Sequence, residues 1–192
     1  MRGLHSQVSE LRKQVFVEVA RIAYESDNIK DDIEAIPYKL SPTEEPKFRE
    51  SIYRERAVSS ERTRLAMGMS IRPQDKPVHI TSGLQYSTID EVYYEPPLMQ
   101  VIPSACNACE HNVYEVSNLC RECLAHPCME VCPKDAITHY DGQAHIDKEK
   151  CIRCGKCKMA CPYEAIGKRM RPCSVACGVD AIETDDYNRA KI

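Results

Sequence analysis

The first apolar residues of the chain recur at intervals of three and four positions. Charged residues such as Glu10, Arg12 and Lys13 fill the positions between them. This spacing predicts an amphipathic helix whose apolar face packs against another part of the protein. The face consists of Leu4, Val8, Leu11, Val15, Val19 and Ile22.

Three prolines separate this helix from a second helical stretch. Pro37, Pro42 and Pro46 predict a loop, because proline lacks the N–H group that a helix interior needs. The second stretch runs from about residue 47 to 69 and has a surface rich in charged residues. Its apolar contributors are Phe48, Ile52, Leu65, Ala66 and Met69.

Residues 70–105 contain five more prolines and predict an irregular connection with one short strand near residues 91–95. Two helices of this size bury too little apolar surface for a large core of their own. We therefore interpret residues 1–100 as a helical docking or scaffold region with a linker.

A different pattern occupies residues 101–192, where one short segment occurs three times. In each copy a cysteine is followed, four residues later, by Ala-Ile. After the first copy, Asp141-Gly142 separates two short segments and predicts a β-hairpin. The copies are Cys132-Pro-Lys-Asp-Ala-Ile137, Cys161-Pro-Tyr-Glu-Ala-Ile166 and Cys177-Gly-Val-Asp-Ala-Ile182.

The third copy leads into Ala190-Lys191-Ile192, which matches the second hairpin segment of the first copy, Ala144-His145-Ile146. In the first copy the next cysteine run begins at Cys151, five residues after Ile146. The same spacing predicts another cysteine run soon after Ile192. We therefore expect the chain to be a fragment or a truncated product of a longer protein.

All twelve cysteines fall between residues 106 and 177. Charged residues interrupt every apolar stretch of the first 30 residues, so no secretory signal peptide is predicted. No apolar run approaches the length of a membrane-spanning helix. These features predict a soluble cytoplasmic protein, in which reduced, clustered cysteines favour metal over disulfides.

Eight of the cysteines form two runs with the spacing that ferredoxins use for [4Fe-4S] clusters. Zinc is the alternative, because C-x2-C pairs also build zinc ribbons. A zinc ribbon gives no role to the third and fourth cysteines or to the proline after each run, so iron–sulfur clusters are favoured. The runs are Cys120, Cys123, Cys128 and Cys132 before Pro133, and Cys151, Cys154, Cys157 and Cys161 before Pro162.

In two-cluster ferredoxins the fourth cysteine of each run ligates the other cluster. One cluster is therefore predicted to bind Cys120, Cys123, Cys128 and Cys161. The other is predicted to bind Cys151, Cys154, Cys157 and Cys132. The predicted fold class is α+β, a helical N-terminal region followed by a bacterial two-[4Fe-4S] ferredoxin-like domain with an additional half-repeat. The complete two-cluster core is placed at residues 115–170, and the partial outer repeat at 104–112 and 171–192.

The outer repeat contains the remaining four cysteines, Cys106, Cys109, Cys173 and Cys177, and two assignments are open. In the first, these four close a third cluster by themselves. In the second, Cys106, Cys109 and Cys173 share a cluster with the last cysteine of the run expected beyond Ile192, and Cys177 joins its first three. We favour the second assignment, because the repeat already predicts that run.

The net charge of −3 gives no basic field that favours nucleic acid. Lysines and arginines, Arg171 among them, gather between residues 150 and 171. The simplest interpretation is a solvated face, and the alternative is a positive charge that offsets the clusters or docks an acidic redox partner. His126 lies between Cys123 and Cys128 and is not assigned as a ligand, because the four-cysteine complement is already full. His111, His139 and His145 are interpreted as surface residues.

The chain resembles the N-terminal accessory-cluster portion of a group B-type [FeFe] hydrogenase from an anaerobic bacterium. The resemblance extends over nearly the whole chain and rests on several segments. They are Ile52-Tyr53-Arg54-Glu55-Arg56-Ala57, Leu65-Ala66-Met67-Gly68, Ala105-Cys106-Asn107-Ala108-Cys109, residues 120–128 and residues 171–182. The resemblance implies that the clusters connect an external redox carrier, such as a ferredoxin, to a catalytic diiron domain. The cysteine motifs of that domain do not occur in this chain, so no catalytic residue is assigned.

Two functions are therefore compared. The first is an electron relay to or from a [FeFe] hydrogenase catalytic domain that lies outside these residues. The second is a free-standing polyferredoxin, or the electron-transfer subunit of another anaerobic oxidoreductase. Neither function requires nucleic acid or a membrane.

Overall fold

The computed structural model of the chain describes residues 6–87 and 99–192. The chain divides into two units, one formed by Met1–Asn107 with Ala190–Ile192 and the other by Ala108–Arg189. Leu4 of the predicted helix face and the strand predicted near residues 91–95 lie outside the described residues.

The first unit is helical. Helix α1 spans Gln7–Glu25, α2 spans Ile29–Leu40, and α3 spans Ile52–Ala66. A short helix, α4, spans Leu84–Ser87, and a 3-10 turn spans Pro103–Ala105. The helices bury apolar side chains between them, among them Leu11, Val15, Ile22, Ile33, Ile36, Val58 and Ile80.

Helix α1 forms where the apolar spacing predicted it. Ser6 caps its N-terminus by accepting the N–H of Ser9 at 3.2 Å. Leu11, Val15 and Ile22 of the predicted face are buried, whereas Val8, in the first turn, is 53% exposed. The apolar face therefore contributes to the core mainly through its middle and end.

The loop predicted at Pro37, Pro42 and Pro46 is wrong at Pro37, which lies inside helix α2, whereas Pro42 and Pro46 lie in a loop after it. The helix contains Pro37 and buries Ile33 and Ile36. Pro37 removes one intrahelical hydrogen bond, but burying the two isoleucines stabilises the helix by more than that bond contributes. The helical spacing of Ile29, Ile33, Ile36 and Leu40 was the signal that the proline obscured.

Helix α3 is shorter than the predicted stretch, and several of its polar side chains are internal. Glu55 is fully buried, and its Oε1 accepts the backbone N–H groups of residues 47, 48 and 49 at 2.6, 2.6 and 2.9 Å. Buried Glu61 pairs with Arg72 at 2.7 Å, and buried Arg64 donates to the Ile80 carbonyl at 2.8 Å. The charge predicted for the helix surface is therefore partly an internal network.

The second unit contains two antiparallel strand pairs. Strand β1, Val113–Val116, pairs with β4, Ile166–Arg169, and β2, Ile137–Tyr140, pairs with β3, Gln143–Ile146. Asp141 and Gly142 connect β2 to β3 with φ values of 52° and 74°, as in a type I′ turn. The predicted hairpin is confirmed.

Two short helices complete the centre of this unit, α5 at Pro127–Glu130 and α6 at Lys156–Ala160. Ile137 and Ile166 occupy the same position in the first two copies of the repeat, and both are buried in one core. Two cysteines share that core. The buried members are Cys128, Ile137, Ala144, Cys157 and Ile166.

The third copy of the repeat is less regular. Helix α7, Pro172–Val175, precedes it, and the two-residue strand β5, Glu183–Thr184, follows it. Strand β6, Ala190–Lys191, belongs to the first unit. Along residues 6–87 and 99–192, no helix combines the length and the apolar character needed to cross a bilayer.

Candidate metal centres

Four cysteines line an open cavity of about 330 Å³ in the second unit, which we call cavity 1. Cys120, Cys123 and Cys128 come from the first cysteine run, whereas Cys161 comes from the second. Apolar side chains form much of the remaining wall. The lining residues besides the cysteines include Val116, Pro127, His139, Ala144, Tyr163, Ala165 and Ile166.

A second open cavity of about 340 Å³, cavity 2, lies in the same unit. Cys151, Cys154 and Cys157 of the second run line it together with Cys132 of the first run. The fourth cysteine of each run thus lies in the cavity of the other run. Other lining residues include Tyr114, Pro133, Ala136, Ile137, Ile146, Ile152 and Gly155.

Each cavity is lined by the four cysteines that crossed ligation assigns to one cluster. Within the described ranges, no three histidine, cysteine or carboxylate side chains are grouped tightly enough to hold a single metal ion. The cysteines instead surround cavities. Four thiolates around a cavity are the donor set of a [4Fe-4S] cluster, so the residues present fit that cofactor.

The backbone around the cysteines bends through left-handed conformations at repeated positions. One such residue precedes the second cysteine of each run, and another follows the fourth cysteine by three positions. Turns of this kind direct successive N–H groups to one side, as in the anion-binding backbone of iron–sulfur sites. The residues are Glu122 with φ 45°, Arg153 with φ 60°, Asp135 with φ 47° and Glu164 with φ 50°.

Backbone N–H groups also reach the cysteine sulfurs directly. Ala136 N–H donates to Cys132 Sγ at 3.3 Å, and Ala144 N–H donates to Cys120 Sγ at 3.5 Å. Hydrogen bonds to a thiolate stabilise its negative charge and help to set the reduction potential of a bound cluster.

Cys128 and Cys157, the third cysteines of the two runs, are both buried. Burial raises the pKa of each thiol, because the thiolate loses hydration. Metal binding must therefore displace a proton from each of these groups, which couples assembly of the site to pH.

Gly155 shapes the wall of cavity 2. Its φ is +80°, a conformation that glycine adopts without a steric penalty. A Cβ atom at this position would lie 2.6 Å from the hydroxyl of Tyr114. Glycine therefore lets the chain turn into Cys157 while Tyr114 remains in the cavity wall.

His139 contributes to cavity 1, although the sequence interpretation placed it on the surface. Its Nε2 lies 3.8 Å from Cys128 Sγ, and its ring stacks on His126 with centroids 3.9 Å apart. The surface prediction for His139 is therefore wrong. The sequence did contain an indication that His139 faces the interior. His139 follows buried Ile137 by two residues in strand β2, and alternate residues of a strand share one face.

The outer cysteines line neither cavity, yet their local backbone repeats that of the inner runs. Ala108 precedes Cys109 with φ 48°, and Asp180 follows Cys177 by three positions with φ 48°. Ala181 N–H donates to Cys177 Sγ at 3.3 Å, as Ala136 does to Cys132. In the first unit, Ala190 N–H donates to Cys106 Sγ at 3.3 Å.

The part of the chain that forms the two cavities matches the model of a known protein family. Residues 120–171 match the model of the LdpA Fe-S cluster-binding domain. This segment contains all eight inner cysteines and none of the outer four. No solved structure matches the chain.

Several curated proteins are similar to the chain. A ferredoxin of Methanocaldococcus jannaschii, itself uncharacterised, is 35% identical over 105 residues, which cover 45% of this chain and 70% of that protein. The electron transport protein HydN of Escherichia coli is 43% identical over 56 residues, 29% of this chain and 32% of HydN. Formate hydrogenlyase subunit 2 of Escherichia coli is 44% identical over 48 residues, 25% of this chain and 24% of that subunit. The matches to these last two proteins thus span a third or less of their length.

Proposed function

This chain belongs to the ferredoxin family of iron–sulfur electron-transfer proteins, and we propose that it carries electrons on two [4Fe-4S] clusters. Cavity 1 would hold one cluster through Cys120, Cys123, Cys128 and Cys161. Cavity 2 would hold the other through Cys151, Cys154, Cys157 and Cys132.

This proposal rests mainly on the fourth cysteine of each run, which lines the cavity of the other run. Cys161 lines cavity 1 and Cys132 lines cavity 2, although each belongs to the run that supplies the other cavity. Crossed ligation of this kind is characteristic of two-cluster ferredoxins. A pair of independent zinc ribbons does not require it.

When bound, a [4Fe-4S] cluster supplies one-electron redox chemistry without a change in covalent bonding. The protein's part is to hold and tune the two sites. The cysteine thiolates fix their position, and apolar residues such as Ile137 and Ile166 limit the access of water. The N–H groups of Ala136 and Ala144 offset negative charge at the sulfurs, which favours the reduced state.

The relay is proposed to serve a [FeFe] hydrogenase of group B type in the cytoplasm of an anaerobic bacterium. Its catalytic domain would lie outside these residues, and a small ferredoxin would be the external carrier. The segments shared with such hydrogenases support this assignment, and the similarity to HydN and to formate hydrogenlyase subunit 2 agrees with an oxidoreductase partner. Residues 1–100 would then dock the cluster domain, residues 101–192, against that partner.

A free-standing polyferredoxin, or the electron-transfer subunit of another oxidoreductase, is the alternative. The similarity to the Methanocaldococcus jannaschii ferredoxin, which extends over 70% of that protein, favours it. Both functions use the same two cavities, and they differ only in the partner.

Iron and acid-labile sulfide analysis of anaerobically purified protein tests the cofactor. We expect at least about eight irons per chain with matching sulfide, and interacting cluster signals in the electron paramagnetic resonance (EPR) spectrum of the reduced protein. Cys123→Ser and Cys154→Ser should each remove or convert one cluster. Metal content without sulfide would contradict the proposal.

The partner is tested separately with reduced protein and the isolated catalytic domain of a group B [FeFe] hydrogenase. The hydrogenase relay predicts hydrogen evolution that depends on this chain and is lost in both cysteine variants. A fully loaded protein that reduces a viologen dye but gives no hydrogen would favour the alternative function.

A further inference from the structure

Of the eight inner cysteines, all of which the structure describes, Cys154 alone is exposed. It lines cavity 2 together with its exposed neighbours Ile152 and Lys156. Electron transfer between proteins slows steeply as the distance between their redox groups grows. The wall of cavity 2 at Cys154 is therefore a place where a partner could come close to a bound cluster.

The chain segment around Cys154 carries positive charge. Between its first and fourth cysteines, the second run contains Arg153, Lys156 and Lys158 and no carboxylate. All three side chains are exposed. Among the residues that the structure describes, no carboxylate forms an ion pair with any of them. Their charge is thus available to a partner.

The first run, which supplies three cysteines to cavity 1, has the opposite charge. Between its first and fourth cysteines it contains Arg121 together with Glu122 and Glu130, and all three are exposed. Leu124 of this run is fully exposed, so apolar exposure does not distinguish the two runs. Charge does distinguish them, and it favours cavity 2 as the place where a negatively charged protein binds.

Two exposed apolar side chains accompany the cations of the second run. Ile152 is 56% exposed and Met159 is 80% exposed. Apolar contacts surrounded by charged and polar groups are the usual composition of an interface between proteins, and methionine is enriched in such interfaces. The segment therefore offers a partner both apolar contacts and positive charge.

We infer that this surface, which we call the cavity 2 rim, docks a small acidic redox protein that exchanges one electron with the cluster of cavity 2. The inference rests on the proposed function and deepens it, because it names the cluster that the partner approaches and the charge of that partner. The exchange moves one electron between the cluster and the redox group of the partner and forms no covalent bond between the proteins. The rim consists of Ile152, Arg153, Cys154, Lys156, Lys158 and Met159.

Electron transfer to an oxidised flavodoxin of net negative charge tests the inference. The cluster-loaded chain is reduced with dithionite, freed of excess reductant and mixed with the flavodoxin in a stopped-flow spectrometer. The flavin takes one electron from the chain and one proton from solvent, and the long-wavelength absorbance of its semiquinone follows the reaction. The probe contains no iron, so it leaves the iron content of the chain measurable.

The salt dependence of the rate constant distinguishes the rim from the charge of the whole chain. The chain has a formal net charge of −3, so its overall charge alone predicts repulsion of the flavodoxin and a rate constant that rises with salt. Attraction by the rim predicts the opposite. We expect the second-order rate constant to fall about tenfold as the ionic strength rises from about 0.01 M to about 0.3 M.

Lys156→Gln/Lys158→Gln removes two of the three rim cations. At low ionic strength this variant should react about fivefold more slowly than the wild type, whereas Lys156→Arg/Lys158→Arg should keep the wild-type rate constant. Lys13→Gln/Lys30→Gln is the matched control, because it removes the same charge from exposed lysines of the helical unit. Rates are expressed per loaded cluster, so that a loss of iron is not counted as a loss of docking.

A rate constant that rises with ionic strength, or equal losses in the glutamine variants of the rim and of the control, would overturn the docking surface. So would an equal slowing of the rim variant with cytochrome c, an acceptor of net positive charge. These results leave the two-cluster function intact in a chain that holds about eight irons. A chain that binds no clusters would instead count against the proposed function.

Met159→Ala tests the apolar part of the rim. The concentration of flavodoxin that half-saturates the rate should rise about fivefold, because the contact with the partner is lost. Val179→Ala is the matched control, since Val179 is 82% exposed in the same unit and lies outside the rim. Equal effects of the two substitutions would overturn the assignment of Met159 to the docking surface.

Discussion

The Nε2 atom of His139 lies 3.8 Å from the sulfur of Cys128, inside the wall of cavity 1. Burial lowers the pKa of His139, because the charged imidazolium would lose hydration. The neutral tautomer with its proton on Nε2 would donate a hydrogen bond to the sulfur at this distance. Among the residues that the structure describes, no histidine lines cavity 2, so this contact distinguishes two cavities that are otherwise built alike.

His139→Phe should therefore lower the reduction potential of one cluster and leave the other unchanged. Losing a hydrogen bond worth about 1 kcal/mol corresponds to roughly 40 mV for one electron. A redox titration followed by EPR measures both potentials in one sample. Two unchanged potentials would show that His139 does not tune cavity 1.

His145→Phe is the matched control for this prediction. His145 lies on the neighbouring strand and stacks on Tyr140, with ring centroids 3.6 Å apart. It does not line either cavity. Both potentials should therefore match those of the wild type, and an equal shift in both variants would point to a general change in the fold.

Gly155→Ala should impair the cluster of cavity 2 selectively. The substitution adds a Cβ atom 2.6 Å from the Tyr114 hydroxyl, and the left-handed conformation costs alanine about 1 kcal/mol. We expect a loss of up to about four irons per chain, with the cavity 1 signal retained. Gly167→Ala is the control, because no atom lies within 4 Å of the added Cβ. Equal iron in the two variants would refute the steric role of Gly155.

Glu55→Ala should destabilise the helical unit. The substitution leaves three backbone N–H groups, those of residues 47 to 49, without their acceptor. We expect the free energy of unfolding to fall by about 3 kcal/mol, with Glu55→Gln between this variant and the wild type. Anaerobic urea unfolding followed by far-ultraviolet circular dichroism measures the change.

Glu44→Ala is the control for Glu55→Ala. Glu44 is exposed, so its removal should change the free energy of unfolding by no more than about 0.5 kcal/mol. Indistinguishable stabilities of the two alanine variants would mean that the buried carboxylate does not hold the segment before α3.

The sequence best predicted those features of the fold in which function restricts the number of residues between key positions. Three cysteines of each run line one cavity and the fourth lines the other, as the ferredoxin spacing groups them, since ligand geometry leaves little freedom in the intervening loops. Asp141-Gly142 predicted its hairpin for a similar reason, because few residue pairs adopt two consecutive positive φ values.

The remaining features depend on tertiary contacts. Helix α2 forms despite Pro37, because burial of Ile33 and Ile36 outweighs a local preference. Glu55 and Arg171 are polar residues whose burial depends on acceptors or donors from distant segments. No periodic pattern encodes such contacts, so the sequence placed Glu55 on a charged surface and Arg171 on a solvated face, and both predictions are wrong because both side chains are buried.

Iron counting on two double variants tests the crossed ligation most directly. Both are made in the Cys109→Ser/Cys173→Ser background, so that only the two cavities contribute iron. Cys123→Ser/Cys161→Ser alters a single cavity and should retain about four irons per chain, whereas Cys154→Ser/Cys161→Ser alters both and should retain almost none. The reverse result, with iron retained only in Cys154→Ser/Cys161→Ser, would show that each run holds its own metal and would contradict the account.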